Sequence, residues 1–149
     1  MRTKNLIAAG CFGLAAFVSA MVFFLLFRFY HTLLGITFYL ILPTLAGMIG
    51  GWLVGWSILD ESRTRNIWMA LGWGALTTLV SYVLFPVLLA IGGYLRGPAA
   101  TATIHSSPLM QAYAAFAIGI TFVLPIALPL GIVTGALLYL LRRRAAHAR

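Results

Sequence analysis

The charged residues of this chain are confined to its two ends and to three short segments between them. Four long, uncharged and mostly apolar stretches remain, at residues 6–27, 33–59, 67–94 and 108–141. About 20 apolar residues are enough for a helix to cross the hydrocarbon core of a bilayer. The sequence therefore predicts an all-α, polytopic membrane protein, with four transmembrane helices in a single membrane domain over residues 1–149.

Composition excludes the usual soluble classes. Hydrophobic residues make up 62% of the chain and charged residues 8%, whereas about a quarter of the residues in a soluble domain are charged. The formal net charge of +8 does not indicate a nucleic-acid partner, because the basic residues lie between apolar stretches and not together on a folded face. The single cysteine, Cys11, excludes an internal disulfide and a cysteine-based metal cluster.

The first apolar stretch has two features of a signal peptide, a lipoprotein-like box at Cys11 and a peptidase-like site at Val18-Ser19-Ala20. Too few apolar residues precede Cys11 for the first interpretation, and the apolar run continues to Phe27, which argues against the second. At about 1.5 Å per residue, residues 6–27 cover roughly 33 Å. This length predicts a transmembrane helix.

The distribution of Lys and Arg predicts the orientation of the helices. Four spans place the N-terminus, the second loop and the C-terminus on one side of the membrane. The basic residues on that side are Arg2, Lys4, Arg63, Arg65, Arg142, Arg143, Arg144 and Arg149, against Arg28 and Arg96 on the other side. Short loops rich in Lys and Arg stay in the cytoplasm. We therefore expect a multi-pass protein of a bacterial-type inner membrane with both termini cytoplasmic.

Three glycines recur every four residues in the second stretch, at Gly47, Gly51 and Gly55. On a helix they form one ridge without side chains, and such ridges let a second transmembrane helix approach closely. The first helix offers a matching small-residue face with Ala9 and Gly13. We expect the two helices to pack there within one chain, with a contact between subunits as the alternative. The cytoplasmic half should then be the more tightly packed half.

Prolines in the last three stretches lie at similar depth, and each leaves the carbonyl four residues earlier without its helical hydrogen bond. Three bends at one level could open the outer half of the bundle into a cavity. Its residues would be Tyr39, Pro43, Tyr82, Pro86, Thr121 and Pro125. The alternative, which we favour, is that the prolines only bend overlong helices, since proline is common in membrane spans.

The only acidic residues, Asp60 and Glu61, lie beside Arg63 and Arg65 in the second loop. We interpret them as a solvated ion-pair cluster that closes the turn and not as a catalytic pair; docking of a basic partner is the alternative. The triplet Arg142-Arg143-Arg144 ends the last span. We expect it to stop the helix and to contact anionic lipid headgroups; the alternative, which we favour, is a stop-transfer anchor and nothing more.

The two outer loops contain polar residues that could contact other molecules, namely Arg28, His31, Arg96 and His105. Neither histidine has a carboxylate, cysteine or second histidine nearby in sequence, as a metal or haem site would require. We therefore expect headgroup-level residues here, and neither a metal nor a cofactor.

Ionisable residues are absent from the centres of the four stretches, although such residues usually mark proton relays and ion-coupled transport. We therefore expect no catalytic chemistry. The favoured hypothesis is an accessory, assembly or structural subunit of a membrane complex, with the bilayer and a membrane-protein partner or a second copy as its contacts. The alternatives are an oligomeric channel or transporter for a small or lipidic solute, and a membrane-embedded immunity protein.

Overall fold

The computed structural model describes residues 2–27, 33–95 and 107–147, with side chains in the second helix from Leu40 onward. The described residues form helices and connecting turns, without strands, which confirms the all-α prediction for this part of the chain. The elements are α1 (Arg2–Phe27), α2 (Leu33–Leu53), a 3₁₀ helix (Gly55–Leu59), α3 (Ile67–Leu95), α4 (Pro108–Ile118), a π-helical turn (Gly119–Val123) and α5 (Leu124–His147).

Within the described residues, three helical segments are long and apolar enough to cross a membrane: Thr3–Leu26, Ile67–Gly92 and Ala112–Ala146. Within α2, Leu40–Leu53 forms a shorter apolar segment. Many large apolar side chains on these helices are exposed in the isolated chain, as expected for residues that face lipid. Length and composition thus define a helical membrane protein.

The second helix ends earlier than the sequence predicted. Its α-helical part stops at Leu53, and residues up to Leu59 form the 3₁₀ helix. Two carbonyls at the end of α2 accept side-chain hydrogen bonds, Trp52 from Asn5 Nδ2 at 3.2 Å and Leu53 from Trp56 Nε1 at 3.0 Å. These bonds replace the helical partners that the last carbonyls of a helix lack, so the chain can turn away from α2 here.

Side-chain caps fix the starts of α3 and α4. The Asn66 Oδ1 atom accepts a hydrogen bond from the Met69 N–H at 2.9 Å, and the Ser107 hydroxyl accepts one from the Met110 N–H at 3.3 Å. Both bonds satisfy a free amide of the first helical turn. Pro108 follows Ser107 as the first helical residue, which confirms the predicted start of the last helical segment.

The last segment is helical from Pro108 to His147, six residues beyond its predicted end at Leu141, and contains the π-helical turn. Pro125 follows this turn directly. A proline ring clashes with the carbonyl four residues earlier, here that of Thr121. The wider π turn accommodates the ring without ending the helix.

The main hydrophobic core lies at the end of the bundle that carries both ends of the described chain. It joins the start of α1, the 3₁₀ helix, the start of α3 and the end of α5, and its buried residues are Ala8, Phe12, Ile58, Leu59, Ala70, Leu138 and Tyr139. We call this end the loop end, because the α2–α3 loop (residues 54–66) is part of it. Its dense packing agrees with the prediction for the half that contains the second loop.

Candidate functional site

The glycine ridge of α2 lies against the backbone of α1. A Cβ atom added at Gly51 would be 2.7 Å from the Ala8 carbonyl oxygen and 3.0 Å from the Ala9 Cα. One added at Gly47 would be 2.7 Å from the Phe12 carbonyl oxygen and 3.3 Å from the Gly13 Cα, and Gly55 faces the Phe12 ring. The ridge thus faces its neighbour within the same chain.

A second close contact, which was not among the predictions from the sequence, joins α3 and α5. A Cβ atom added at Gly74 would lie 2.5 Å from the Gly131 carbonyl oxygen, and one added at Gly135 would lie 2.6 Å from the Ala70 carbonyl oxygen. The signal was present, because Gly131 and Gly135 are four residues apart, like the glycines of the α2 ridge. Glycine contacts therefore hold both helix pairs together.

The described residues of the predicted outer cavity differ in their exposure. Pro86 is buried and Pro43 is half-buried, whereas Thr121 and Pro125 are exposed. The Tyr82 hydroxyl donates a hydrogen bond to the Phe116 carbonyl, so it ties α3 to α4 just before the π turn. The side chain of Tyr39 lies outside the described residues.

An open groove of about 250 Å³ lies elsewhere, between α1 and α2. Its lining residues are Phe17, Leu40, Ile41, Thr44 and Leu45. The Thr44 hydroxyl donates to the Leu40 carbonyl of its own helix at 2.7 Å. The groove therefore presents mainly an apolar surface, and a solute would find few polar partners in it.

The most specific polar arrangement lies at the loop end, where Arg142 of α5 binds the α2–α3 loop. Its Nη1 atom donates to the Ile58 carbonyl and its Nη2 atom to the Thr64 carbonyl, both at 2.8 Å. The guanidinium also lies 5.0 Å from the centroid of the Tyr139 ring. The planar fork of arginine suits two acceptors at fixed positions. Arg142 thus has an internal partner that its predicted role as a headgroup contact did not include.

The loop that Arg142 holds is itself well packed. Thr64 is fully buried, and its hydroxyl donates to the Ser57 carbonyl at 2.7 Å. The Tyr139 hydroxyl donates to the Arg65 carbonyl at 3.4 Å. Three side chains therefore fix the loop backbone, two of them from α5. We call the contacts of Tyr139 and Arg142 with the loop the α5 clamp.

The predicted ion-pair cluster is reduced to a single pair in the described residues. Arg63 Nε lies 3.9 Å from Asp60 Oδ2, and the Arg63 guanidinium lies 4.5 Å from the centroid of a Trp56 ring. Asp60 Oδ1 accepts from the Ser62 hydroxyl at 3.0 Å and from the Ser62 N–H at 3.2 Å. Glu61 and Arg65 are exposed. The aspartate therefore closes the turn mainly through Ser62.

Hydrogen bonding lowers the pKa of Asp60 below its ordinary value. The Ser62 hydroxyl has the largest effect; partial desolvation opposes it, while the Ser62 N–H and the charges of Lys4 and Arg63 act in the same direction. Because the pKa of Asp60 is lower in the folded state, the ionised carboxylate stabilises the loop at any pH above the pKa of the unfolded state, about 3.9. This contribution is lost as the pH falls through the lower, folded pKa.

We expect the Ser62→Ala variant to raise the pKa of Asp60 towards its ordinary value, because the strongest hydrogen bond to the carboxylate is lost. Titration of the Asp60 side-chain carboxyl carbon by NMR would measure the change. An unchanged Asp60 titration would mean that the hydroxyl does not bind the carboxylate.

The remaining predicted site residues either are exposed, without a hydrogen bond or ion pair in the described part of the chain, or lie outside the described residues. Arg143 and Arg144 are exposed. Arg28, His31, Arg96 and His105 lie outside the described residues. Among the described residues, no group of three or more His, Cys, Asp or Glu side chains could hold a metal ion.

Comparison of the chain with protein-family models, curated proteins and solved structures gives no match. In the part of the chain that the structure describes, the fold is helical and three helices are of membrane-spanning length.

Proposed function

We propose that this chain crosses a bacterial-type inner membrane four times, with both termini in the cytoplasm. In addition to the three helices of membrane-spanning length, α2 is the remaining span in this proposal. Its 21 residues cover roughly 32 Å as a helix. Its position supports this assignment, because Gly51 contacts α1 and a Cβ atom at Gly50 would meet Ser81 of α3. The bias of Lys and Arg towards the loop end supports the orientation.

We further propose that the protein is a non-catalytic accessory, assembly or structural subunit that binds a membrane-protein partner or a second copy of itself. Two exposed glycines carry this proposal. Cβ atoms added at Gly10 of α1 and at Gly72 of α3 would meet no atom within 4 Å. Glycine in a helix costs about 1 kcal/mol relative to alanine, and neither glycine recovers this cost by close packing within the chain.

Large apolar side chains flank both glycines. Ile7 and Leu14 are exposed on either side of Gly10, and Trp68 and Leu76 are exposed on either side of Gly72. Each glycine therefore forms a notch into which a side chain of another helix would fit. Small residues at such positions let transmembrane helices approach closely. We call these two positions the open notches.

The hydroxyl groups inside the helices support a structural role over solute transport. Ser19, Thr77, Thr78, Ser81 and Thr134 each donate to the carbonyl four residues earlier in their own helix. These donors are occupied by the backbone. They therefore do not form a continuous polar path through the described bundle.

We expect Gly10→Leu and Gly72→Leu to release the partner, because the new side chains fill the notches and keep a second helix away. The measurement is the mass of the particle and its co-purifying polypeptides after isolation in a mild detergent. As a matched control, Leu14→Ile changes the shape of an exposed side chain on the same face without filling a notch.

The thermal stability of both leucine variants should equal or slightly exceed that of the wild type, since the added Cβ atoms meet no other atom within 4 Å and leucine is a better helix former than glycine. A wild-type protein that purifies as a lone monomer, with no companion polypeptide, would contradict the proposal. Loss of the partner in the Leu14→Ile control as well would assign the contact to the apolar face in general and not to the notches.

A further inference from the structure

Two arginines from distant parts of the sequence, Arg65 and Arg143, both lie at the loop end. The backbone at Arg65 is bound to α5. The Arg65 carbonyl accepts a hydrogen bond from the Tyr139 hydroxyl, and the carbonyl of the preceding residue, Thr64, accepts one from Arg142. On a helix, residues three and four positions apart lie on one face. Arg143 is four residues after Tyr139, so it continues the face of α5 that meets Arg65.

The next residue, Arg144, lies on a different face. It follows Tyr139 by five positions, which at 3.6 residues per turn rotates it well away from the clamped loop. Adjacent residues of the same type and charge therefore differ in their distance from Arg65. A comparison of Arg143 with Arg144 can therefore distinguish a defined binding site from a general effect of positive charge.

Neither Arg65 nor Arg143 has an acidic partner in the described part of the chain. The one ion pair there joins Arg63 to Asp60, and Arg142 donates to backbone carbonyls. Both arginines are exposed. The α5 clamp thus holds the loop backbone at Arg65 against the end of α5 that carries Arg143. Neither arginine has a counter-charge in the described part of the chain, and this arrangement favours binding of an anion from outside the protein.

The surroundings indicate the source of that anion. The Trp68 side chain, at the start of α3 and three residues after Arg65, is 76% exposed. Exposed tryptophan at the end of a membrane helix lies at the level of the lipid headgroups. Guanidinium groups bind phosphate oxygens in a two-pronged geometry. The site therefore lies where phospholipid phosphates are concentrated.

We propose that Arg65 and Arg143 together bind the phosphate of one anionic phospholipid, with Trp68 against the adjoining part of the lipid. This site goes beyond the proposed subunit role and does not depend on it, since its two arginines lie in the α2–α3 loop and on α5. It shares only Trp68 with the surroundings of the notch at Gly72. The sequence predicted that Arg142, Arg143 and Arg144 all contact lipid headgroups. In the present proposal only Arg143 of these three binds the lipid, together with Arg65 of the α2–α3 loop.

Native mass spectrometry of the delipidated full-length protein in detergent would test the site. The probes are phosphatidylglycerol, phosphatidylcholine and inorganic phosphate. We expect preferential binding of one phosphatidylglycerol, and an affinity about tenfold lower in Arg65→Gln and in Arg143→Gln, because each variant loses one charge-assisted contact. Arg144→Gln and Arg63→Gln carry the same change of charge and should bind as the wild type does.

Three outcomes would overturn the proposal. An equal loss in Arg144→Gln and Arg143→Gln would show a diffuse effect of charge. Equal binding of phosphatidylcholine and phosphatidylglycerol would show no anionic site. Displacement of the lipid by millimolar inorganic phosphate would assign the pair to free phosphate. All four side chains are exposed or bound only at the surface, so the variants should fold, and an unchanged melting temperature would verify this.

Discussion

Replacement of Gly51 by alanine is expected to destabilise the protein by about 3 kcal/mol, the upper range for overpacking a close-packed contact. The added methyl group would lie 2.7 Å from the Ala8 carbonyl oxygen and 3.0 Å from the Ala8 carbonyl carbon. Both atoms belong to the backbone and cannot rotate away. Helices α1 and α2 would have to separate along the ridge and lose the contacts on either side of it.

Unfolding with SDS in mixed micelles, followed by tryptophan fluorescence, would measure this loss. Gly10→Ala is the matched control, because its methyl group meets no atom within 4 Å and alanine is the better helix former. Its stability should equal or slightly exceed that of the wild type. Gly13→Ala should fall between the two, since its methyl group meets only the flexible Met48 side chain within 3 Å. Similar stability of Gly51→Ala and Gly10→Ala would contradict the close approach of α1 and α2.

Replacement of Arg142 by methionine is expected to cost about 2 to 4 kcal/mol and to loosen the α2–α3 loop. Two carbonyls, of Ile58 and Thr64, would lose their donors, and an unsatisfied buried acceptor costs about 1–3 kcal/mol. Both residues are fully buried, so water could replace the guanidinium only if the loop opened. Trypsin should then cleave after Arg63 and Arg65 much faster than in the wild type.

Two controls separate the clamp from the role of positive charge in membrane topology. Arg142→Lys keeps the charge but cannot donate to both carbonyls in the same planar geometry, so it should show most of the loss. Arg144→Met removes a charge from an exposed side chain and should behave as the wild type does. If Arg142→Met and Arg144→Met proved equally stable and equally resistant to trypsin, Arg142 would be only a membrane stop signal.

The features that follow from local sequence were predictable. Uncharged length predicted the helices, and Ser107-Pro108 predicted the start of the last one. The spacing of Gly47, Gly51 and Gly55 identified a close-packing surface, and Ala9 and Gly13 proved to lie opposite it. Each of these signals lies within a few residues of its effect and depends on helical periodicity alone.

The features that depend on distant residues were not predictable in this way. The acceptors of Arg142 are backbone carbonyls 84 and 78 residues earlier, and a carbonyl leaves no trace in residue identity. The contact of Gly74 with Gly131 depends on how α3 and α5 are rotated towards each other. The outer cavity stays a prediction, because similar depth of the prolines along their helices does not determine the faces on which they lie.

The long sequence separation within the α5 clamp also determines when the bundle can be completed during synthesis. The contacts of Ile58 and Thr64 with Arg142 can form only after a further 78 residues beyond Thr64 have been made. Until then the first two helices can pair through Gly51, while the connection to α3 still has unpaired carbonyls. A nascent chain that stops short of residue 142 therefore lacks the last contacts that distinguish a finished bundle from a partial one.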